Sequence, residues 1–211
     1  MSANWPPNLT TLQLSGKFDP ETIATFPWPL HLTELILTYC RPLDANGMSS
    51  LLSNPQLGQR LKRLIVTLDD TDMDGDAAEV ILPLLPELTF LSIPECTVYE
   101  TWFEIAATLN PPVALRVLEL GWCGDAVMYF GPQDVIRALE GGLANLHSLW
   151  IDGHVEEDTL AEIDEALIDR WMSQHPDADP EAVDDVGVHS LDDEDRLYPY
   201  HSSIDAAKQL R

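Results

Sequence analysis

An acidic segment, Asp69–Val80 (DDTDMDGDAAEV), has the residue types and spacing that could bind a calcium ion. Asp70, Asp72 and Asp74 stand at alternate positions and a glycine follows them, as at the start of a calcium-binding loop. The end of such a loop requires a glutamate that coordinates through both oxygens, and that position holds Ile81. The segment therefore predicts a solvated connection, with a weak calcium site as the alternative.

The sequence gives little support for thiol or histidine chemistry. The triplet Trp122-Cys123-Gly124 resembles the start of a thioredoxin redox motif, but Ala126 stands where the second cysteine belongs, which leaves no partner for disulfide exchange. The six histidines show no metal-ligand spacing, and the chain has no nucleophile-elbow, phosphate-loop or dinucleotide-binding motif. We therefore expect a protein that is not an enzyme and needs no cofactor.

The chain is strongly acidic: 36 Asp and Glu residues against 11 Lys and Arg give its 211 residues a net charge of −25. Such a charge repels nucleic acids and anionic lipids, which need clustered basic side chains, so a basic protein is the expected partner. The N-terminus lacks a signal-peptide pattern, and the most apolar run, Val80–Leu91, is too short and too interrupted to span a bilayer. We expect no membrane association and a cytoplasmic or nuclear location.

One short phrase recurs along the chain and sets the elements that must position any site. Each copy has an apolar residue, two variable residues, Leu, one variable residue and another apolar residue. The copies are LTTLQL from Leu9, LTELIL from Leu32, LKRLIV from Leu61, LTFLSI from Leu88, LRVLEL from Leu115 and LHSLWI from Leu146, at spacings of 23, 29, 27, 27 and 31 residues. Each phrase predicts a short strand that buries its first, fourth and sixth side chains and pairs in parallel with the next.

The cysteines fall in register with this phrase. The eighth residues after the first Leu of each copy are Lys17, Cys40, Asp69, Cys96, Cys123 and His154. All three cysteines of the chain therefore share one column of the repeat. An odd number of cysteines without a CxxC pair does not favour a disulfide framework. We expect buried structural thiols rather than nucleophiles or metal ligands.

The phrase and its cysteine column resemble the leucine-rich repeat of the cysteine-containing, ribonuclease-inhibitor-like type, whose unit reads LxxLxLxxN/C followed by a helical return. The resemblance covers residues 5–154 approximately. It implies an α/β fold: a right-handed solenoid, or horseshoe, of about six repeats. In that family a parallel sheet lines the concave side, helices cover the convex side, and the N/C side chain points inward.

Three parts of the chain are expected on this basis. Residues 1–154 form the repeat solenoid, with amphipathic return helices in segments such as Pro132–Leu139. Residues 155–175 form a C-terminal capping helix, because the apolar residues of Glu156–Met172 recur at helical spacing. Residues 176–211 form an acidic, poorly ordered tail that is rich in Asp, Glu and Pro.

The third and fifth positions of each phrase, and the second residue after the phrase, point to the sheet face opposite the leucines. Apolar and aromatic residues recur there across several repeats, and exposed groups of this kind mark interaction surfaces. We therefore expect a protein or peptide to bind the concave face. The predicted contact residues are Glu34, Ile36, Tyr39, Arg63, Ile65, Leu68, Phe90, Glu119, Trp122 and Trp150.

The irregular repeat lengths, the cysteines and the opening phrase WPPNLTTL also resemble the substrate-binding region of fungal F-box/leucine-rich-repeat proteins. In that family an N-terminal F-box recruits a ubiquitin ligase and the repeats select the substrate. This chain has no room for an F-box before Leu9, so the resemblance implies only the substrate-recognition part. Two alternatives are a calcium- or zinc-dependent enzyme with its site in the loops after the strands, and a truncated fragment of a larger F-box/leucine-rich-repeat protein.

Overall fold

The computed structural model describes residues 5–17, 25–41, 44–67, 79–93, 98–121, 129–152, 155–177 and 186–190. Within these residues the chain forms one sheet of seven parallel strands, placed side by side in chain order. The strands are β1 (Thr11–Lys17), β2 (Glu34–Arg41), β3 (Arg63–Thr67), β4 (Phe90–Ile93), β5 (Val117–Gly121), β6 (Ser148–Asp152) and β7 (Gly187–Ser190). The predicted α/β class and parallel sheet are confirmed, while the horseshoe curvature, the number of repeats and their leucine-rich-repeat type remain predictions.

The first six strands each begin at the third residue of one copy of the recurring phrase. Consequently the fourth-position leucines lie side by side: Leu12 pairs with Leu35, Leu35 with Leu64, and so on to Leu149. One short strand offers too little apolar surface to be stable alone, so each depends on its neighbours. The predicted parallel pairing of successive phrases is confirmed.

The connections between strands contain helices that cover the leucine face of the sheet. They are α1 (Ala45–Leu52), α2 (Pro55–Gly58), α3 (Ile81–Leu84), α4 (Glu100–Thr108), α5 (Pro132–Glu140) and α6 (Glu157–Gln174). Local signals favour their starts: the Asp44 carboxylate accepts a hydrogen bond from the Gly47 N–H at 2.8 Å, and Pro132 opens α5. Phe103 of α4 and Leu139 of α5 belong to the same buried core as the strand leucines.

Cys40 lies in β2, and its buried thiol donates to the Leu14 carbonyl oxygen of β1 at 3.4 Å. Burial raises the pKa of this thiol to about 11, against weaker opposing hydrogen bonds from the backbone. The buried position predicted for Cys40 is confirmed, while Cys96 and Cys123 lie outside the described residues. Cys40 therefore acts as a structural thiol that ties β2 to β1.

The alignment of the eighth residues is corrected at the first repeat. The sequence aligned Cys40 with Lys17, but the structure pairs Cys40 with Gly16 and Arg41 with Lys17. The register shifts between Ser15 and Gly16, where Gly16 has a φ of 112°, a conformation that glycine adopts at least cost. An irregularity of this kind, a β-bulge, offsets one strand against the other by one residue.

The last described part of the sheet is held by α6 and β7. Ile163 and Leu167 of α6 are buried, and the capping role of residues 155–175 stays a prediction. The Asp164 carboxylate accepts a hydrogen bond from the Val188 N–H at 2.8 Å, which holds β7 beside β6. The sequence missed β7, which lies in 176–211, the predicted tail, because GVHS carries no leucine phrase. The domain boundaries at residues 154 and 175 remain predictions.

Adjacent repeats approach closely where the chain turns from α5 toward β6. The Gly142 N–H donates to the Ala106 carbonyl of α4 at 3.1 Å, and the Gly142 carbonyl accepts from the Val113 N–H at 2.9 Å. A Cβ atom at residue 142 would overlap the Ala106 carbonyl oxygen and lie 2.6 Å from the Leu109 Cβ. A side chain at this position therefore fits only if the two repeats separate.

Gly142→Ala is expected to lower the free energy of unfolding by about 1–3 kcal/mol, the usual cost of overpacking a buried contact. Urea unfolding followed by circular dichroism measures the change. Gly131→Ala is the matched control, since its new Cβ would meet the Asp134 carboxylate at an ordinary 3.6 Å and should cost at most about 1 kcal/mol. Equal losses in the two variants would contradict the close approach at Gly142.

Cys40 is expected to resist thiol reagents in the folded protein, because its raised pKa leaves almost no thiolate at pH 8. The measurement uses a Cys96→Ser/Cys123→Ser background, in which Cys40 is the remaining cysteine. Its reaction with an aromatic disulfide reagent should be at least about 100-fold slower than in the same protein unfolded in guanidinium. Comparable rates in the folded and unfolded protein would show that the thiol is accessible.

Candidate protein-interaction face

The strands present two rows of side chains on the sheet face opposite the leucines, here called the row face. The third-position row consists of Thr11, Glu34, Arg63, Phe90, Val117 and Ser148, and at Gly187 of β7 it ends without a side chain. The fifth-position row consists of Gln13, Ile36, Ile65, Ser92, Glu119, Trp150 and His189. Neighbours in each row pair directly in the strand register. The sequence predicted both rows as far as β6, and the structure adds the residues of β7.

Glu34 organises the third-position row through hydrogen bonds from both sides. Thr11 Oγ1 donates to Glu34 Oε2 at 2.9 Å, and Arg63 Nε donates to Glu34 Oε1 at 3.1 Å. The Arg63 guanidinium also lies 4.0 Å from the centroid of the Phe90 ring, within the range of a cation–π contact. Glu34 is almost fully buried, and its pairing with Arg63 offsets part of the cost of removing the carboxylate from water. The sequence placed these residues on one face but did not predict their contacts.

Ile36 and Ile65 pair side by side in the fifth-position row. The sequence predicted that both are exposed to water, and this is wrong, because each is only 5% exposed. Branched side chains on neighbouring strands shield each other, and this direct pairing contributes to their burial. Since little of their apolar surface is accessible, they have little left to bury against a partner.

Glu119 is a half-buried carboxylate in the fifth-position row, between Ser92 of β4 and Trp150 of β6. Burial raises the pKa of Glu119 above its ordinary value of 4.5, because the charged form is poorly solvated there. A hydrogen bond donated by the Ser92 hydroxyl and the positive charge of Arg63 oppose this shift only in part. The negative charge of an ionised Glu119 is therefore incompletely compensated by its surroundings.

The Trp150 indole of β6 stacks on the His189 imidazole of β7, with ring centroids 4.5 Å apart and an interplanar angle of 26°. His189 of β7 therefore covers one face of the indole, and Glu119 of β5 is the register neighbour of Trp150 on the other side. His189 Nε2 is buried and has no hydrogen-bond partner in the part of the chain that the structure describes. Sequence reasoning missed His189 because it lies in the predicted tail.

Three predicted contact residues lie outside what the structure describes. They are Leu68, Trp122 and the side chain of Tyr39, whose backbone belongs to β2. The aspartates of the segment predicted as a solvated connection, with a weak calcium site as the alternative, lie within residues 69–78 and also fall outside the described residues. Among the described residues, no group of three or more His, Cys, Asp or Glu side chains is placed to hold a metal ion. The described helices include none that is long and apolar enough to cross a membrane.

Comparison with known proteins finds a local similarity. Over 60 residues this chain is 40% identical to F-box protein YDR306C of Saccharomyces cerevisiae. The matched stretch is 28% of this chain and 12% of the yeast protein, so the chain spans a small part of that relative. A scan against models of known protein families finds no match. The local similarity is compatible with a role in protein interaction.

Glu119→Gln is expected to raise the melting temperature at pH 7, because glutamine still accepts the Ser92 hydrogen bond and carries no poorly solvated charge. A carboxyl group whose pKa is higher in the folded than in the unfolded protein makes its full stabilising contribution to the free energy of unfolding below pH 4.5. That contribution is lost as the pH rises through the raised pKa of the folded protein. The advantage of the variant should therefore grow between pH 4 and pH 7 in calorimetric scans.

The control for this prediction is Glu104→Gln on α4, whose carboxylate is exposed. That variant should stay within about 0.5 kcal/mol of wild type at both pH values, as is usual for surface substitutions. A Glu119→Gln variant that is less stable than wild type at pH 7 would contradict the environment described for this carboxylate.

Proposed function

We propose that the chain is a non-enzymatic protein-interaction module that binds a protein or peptide on its row face. The observation that carries this proposal is the strand register, which brings side chains from seven strands into two continuous rows. A polypeptide laid across the strands can contact several members of each row at once. The local similarity to F-box protein YDR306C supports an interaction role.

The part of the row face formed by β4, β5 and β6 offers more binding surface than β2 and β3. Phe90, Val117 and Trp150 are half-buried, whereas Ile36 and Ile65 are already buried. A half-buried aromatic side chain still loses accessible apolar surface on binding, and Trp is among the residues that dominate interface energetics. We therefore expect a partner to centre on Trp150 rather than on the isoleucines.

The charge of the chain favours a basic partner. A net charge of −25 attracts a positively charged protein and accelerates its encounter with the row face. Glu119 adds a carboxylate on that face whose charge is incompletely compensated. This attraction should weaken as the ionic strength rises, since salt screens charges beyond about 10 Å at 0.1 M.

We further propose that the bound protein is the substrate of a ubiquitin ligase, in the cytoplasm or the nucleus. Support comes from the resemblance of the repeats to those of F-box/leucine-rich-repeat proteins and from the 60-residue similarity to a yeast F-box protein. In this role the row face holds the protein to be modified while the chain is associated with the ligase.

Trp150→Ala tests the proposal, with Trp171→Ala as a matched control. Trp171 of α6 is also half-buried and also stacks on a histidine, with its ring centroid 4.6 Å from that of His175, but it lies on a helix and not on the row face. Proteins that co-purify with the tagged wild-type chain from its native cells are identified by mass spectrometry. Their affinities for the three proteins are then measured with purified components.

We expect Trp150→Ala to bind at least about tenfold more weakly, as for loss of a central aromatic anchor, and Trp171→Ala to bind like wild type. Circular dichroism verifies that both variants fold. Unchanged binding by Trp150→Ala and by a Phe90→Ala/Trp150→Ala variant would contradict the row face as the binding site. Ligase subunits among the co-purified proteins would support the ubiquitin-ligase role, and a partner retained without them would contradict it.

A further inference from the structure

We infer that Glu119 and Trp150 form a subsite for one basic side chain of the partner, with arginine preferred over lysine. This inference rests on the proposed function and specifies the chemistry of one contact within it. Glu119 and Trp150 are direct neighbours in the register of β5 and β6. Since adjacent strands lie roughly 4.8 Å apart, a carboxylate and an indole stand side by side on the row face.

The carboxylate half of the subsite lacks a cation of its own. Within the described residues, Glu119 has a neutral hydrogen-bond donor, the Ser92 hydroxyl, and feels the charge of Arg63 without a salt bridge between them. The Arg63 guanidinium is already hydrogen-bonded to Glu34 and packed over Phe90. A cation of the partner would therefore form the salt bridge with Glu119 that Arg63 does not form.

The aromatic half of the subsite is the indole face that His189 does not cover. His189 stacks on the other face, and Glu119 is the neighbour of Trp150 on β5. Cations are attracted to the face of an indole, and the planar guanidinium of arginine can stack on a ring while it donates two hydrogen bonds to a carboxylate. The compact ammonium of lysine cannot do both in this way, which favours arginine.

The row face already contains this combination of groups within the chain. In the third-position row, Arg63 donates to the Glu34 carboxylate at 3.1 Å while its guanidinium lies 4.0 Å over the Phe90 ring. In the fifth-position row, Glu119 and Trp150 supply the carboxylate and the ring, and no described arginine joins them. Arg63 lies on β3, between Glu34 of β2 and Phe90 of β4. Glu119 and Trp150, by contrast, lie on neighbouring strands. An arginine of the partner therefore approaches Glu119 and Trp150 from the solvent side of the row face, and the net charge of −25 favours its approach.

N-acetyl-arginine amide is the probe, and N-acetyl-citrulline amide, which has nearly the same shape without the charge, is its control. The indole N–H signal of Trp150 in the full chain is assigned with Trp150→Phe and followed by NMR. We expect a saturable shift with the arginine compound at millimolar concentration, a weaker response to N-acetyl-lysine amide, and none to the citrulline compound. Glu119→Gln should weaken arginine binding at least about fivefold, while Glu104→Gln should leave it unchanged.

Equal shifts with the arginine and citrulline compounds, or equal affinities of wild type and Glu119→Gln, would overturn the subsite. Unfolding does not explain a loss of binding by Glu119→Gln, because that variant is expected to be more stable than wild type at pH 7. The co-purified partner separates this inference from the proposed function. A partner lost by Trp150→Ala but bound fully by Glu119→Gln overturns the subsite alone. A partner bound fully by both variants and by Phe90→Ala/Trp150→Ala overturns the proposed function.

Discussion

A line of leucines across parallel strands is the constraint on which the rest of the structure depends. The fourth-position leucines from β2 to β6 are each 0% exposed, and they share one core with the helices that cover them. A slip of one residue in any strand would turn its leucine to the row face and bring a row residue into the core. Burial of the leucines therefore fixes the register of the sheet and, with it, the order of side chains on the opposite face.

The row face inherits its order from this register, but its chemistry changes along the sheet. Toward β2 and β3, the paired isoleucines are buried, and the opposite charges of Glu34 and Arg63 compensate each other. This part of the row face therefore offers a partner little apolar surface and little uncompensated charge. Toward β5 and β6, the charge of an ionised Glu119 is incompletely compensated, and Trp150 is only half-buried. The same sheet thus combines a part whose side chains are already paired or buried with the part on which we propose that a partner binds.

Periodic features of the sequence predicted the periodic features of the fold. The spacing of the leucine phrases indicated the first six strands and their parallel pairing, and the column of cysteines indicated the burial of Cys40. Amphipathic spacing likewise indicated a helix at Pro132–Leu139, where α5 spans Pro132–Glu140. Each of these signals arises from a repeated local requirement, namely that the same side-chain positions face the core in every unit.

The remaining features depend on single contacts that no repeat reveals. The bulge at Gly16 is one irregular position, and the burial of Ile36 follows from its surroundings across the sheet rather than from its position in a phrase. His189 reaches the row face on a strand without a leucine, held by Asp164 of α6. The alternation of side chains along each strand predicted which residues share the row face. The contacts among Glu34, Arg63 and Phe90 depend on side-chain conformations, which the sequence pattern does not specify.

We propose that partners bind the row face and not the helices. Side-chain footprinting of the free and partner-bound chain tests this binding location most directly. Trp150 on β6 and Trp171 on α6 are suitable for comparison, because both are half-buried and both stack on a histidine. We expect the partner to protect Trp150 and Phe90 from oxidation and to leave the oxidation of Trp171 unchanged. Protection of Trp171 with Trp150 unchanged would contradict it.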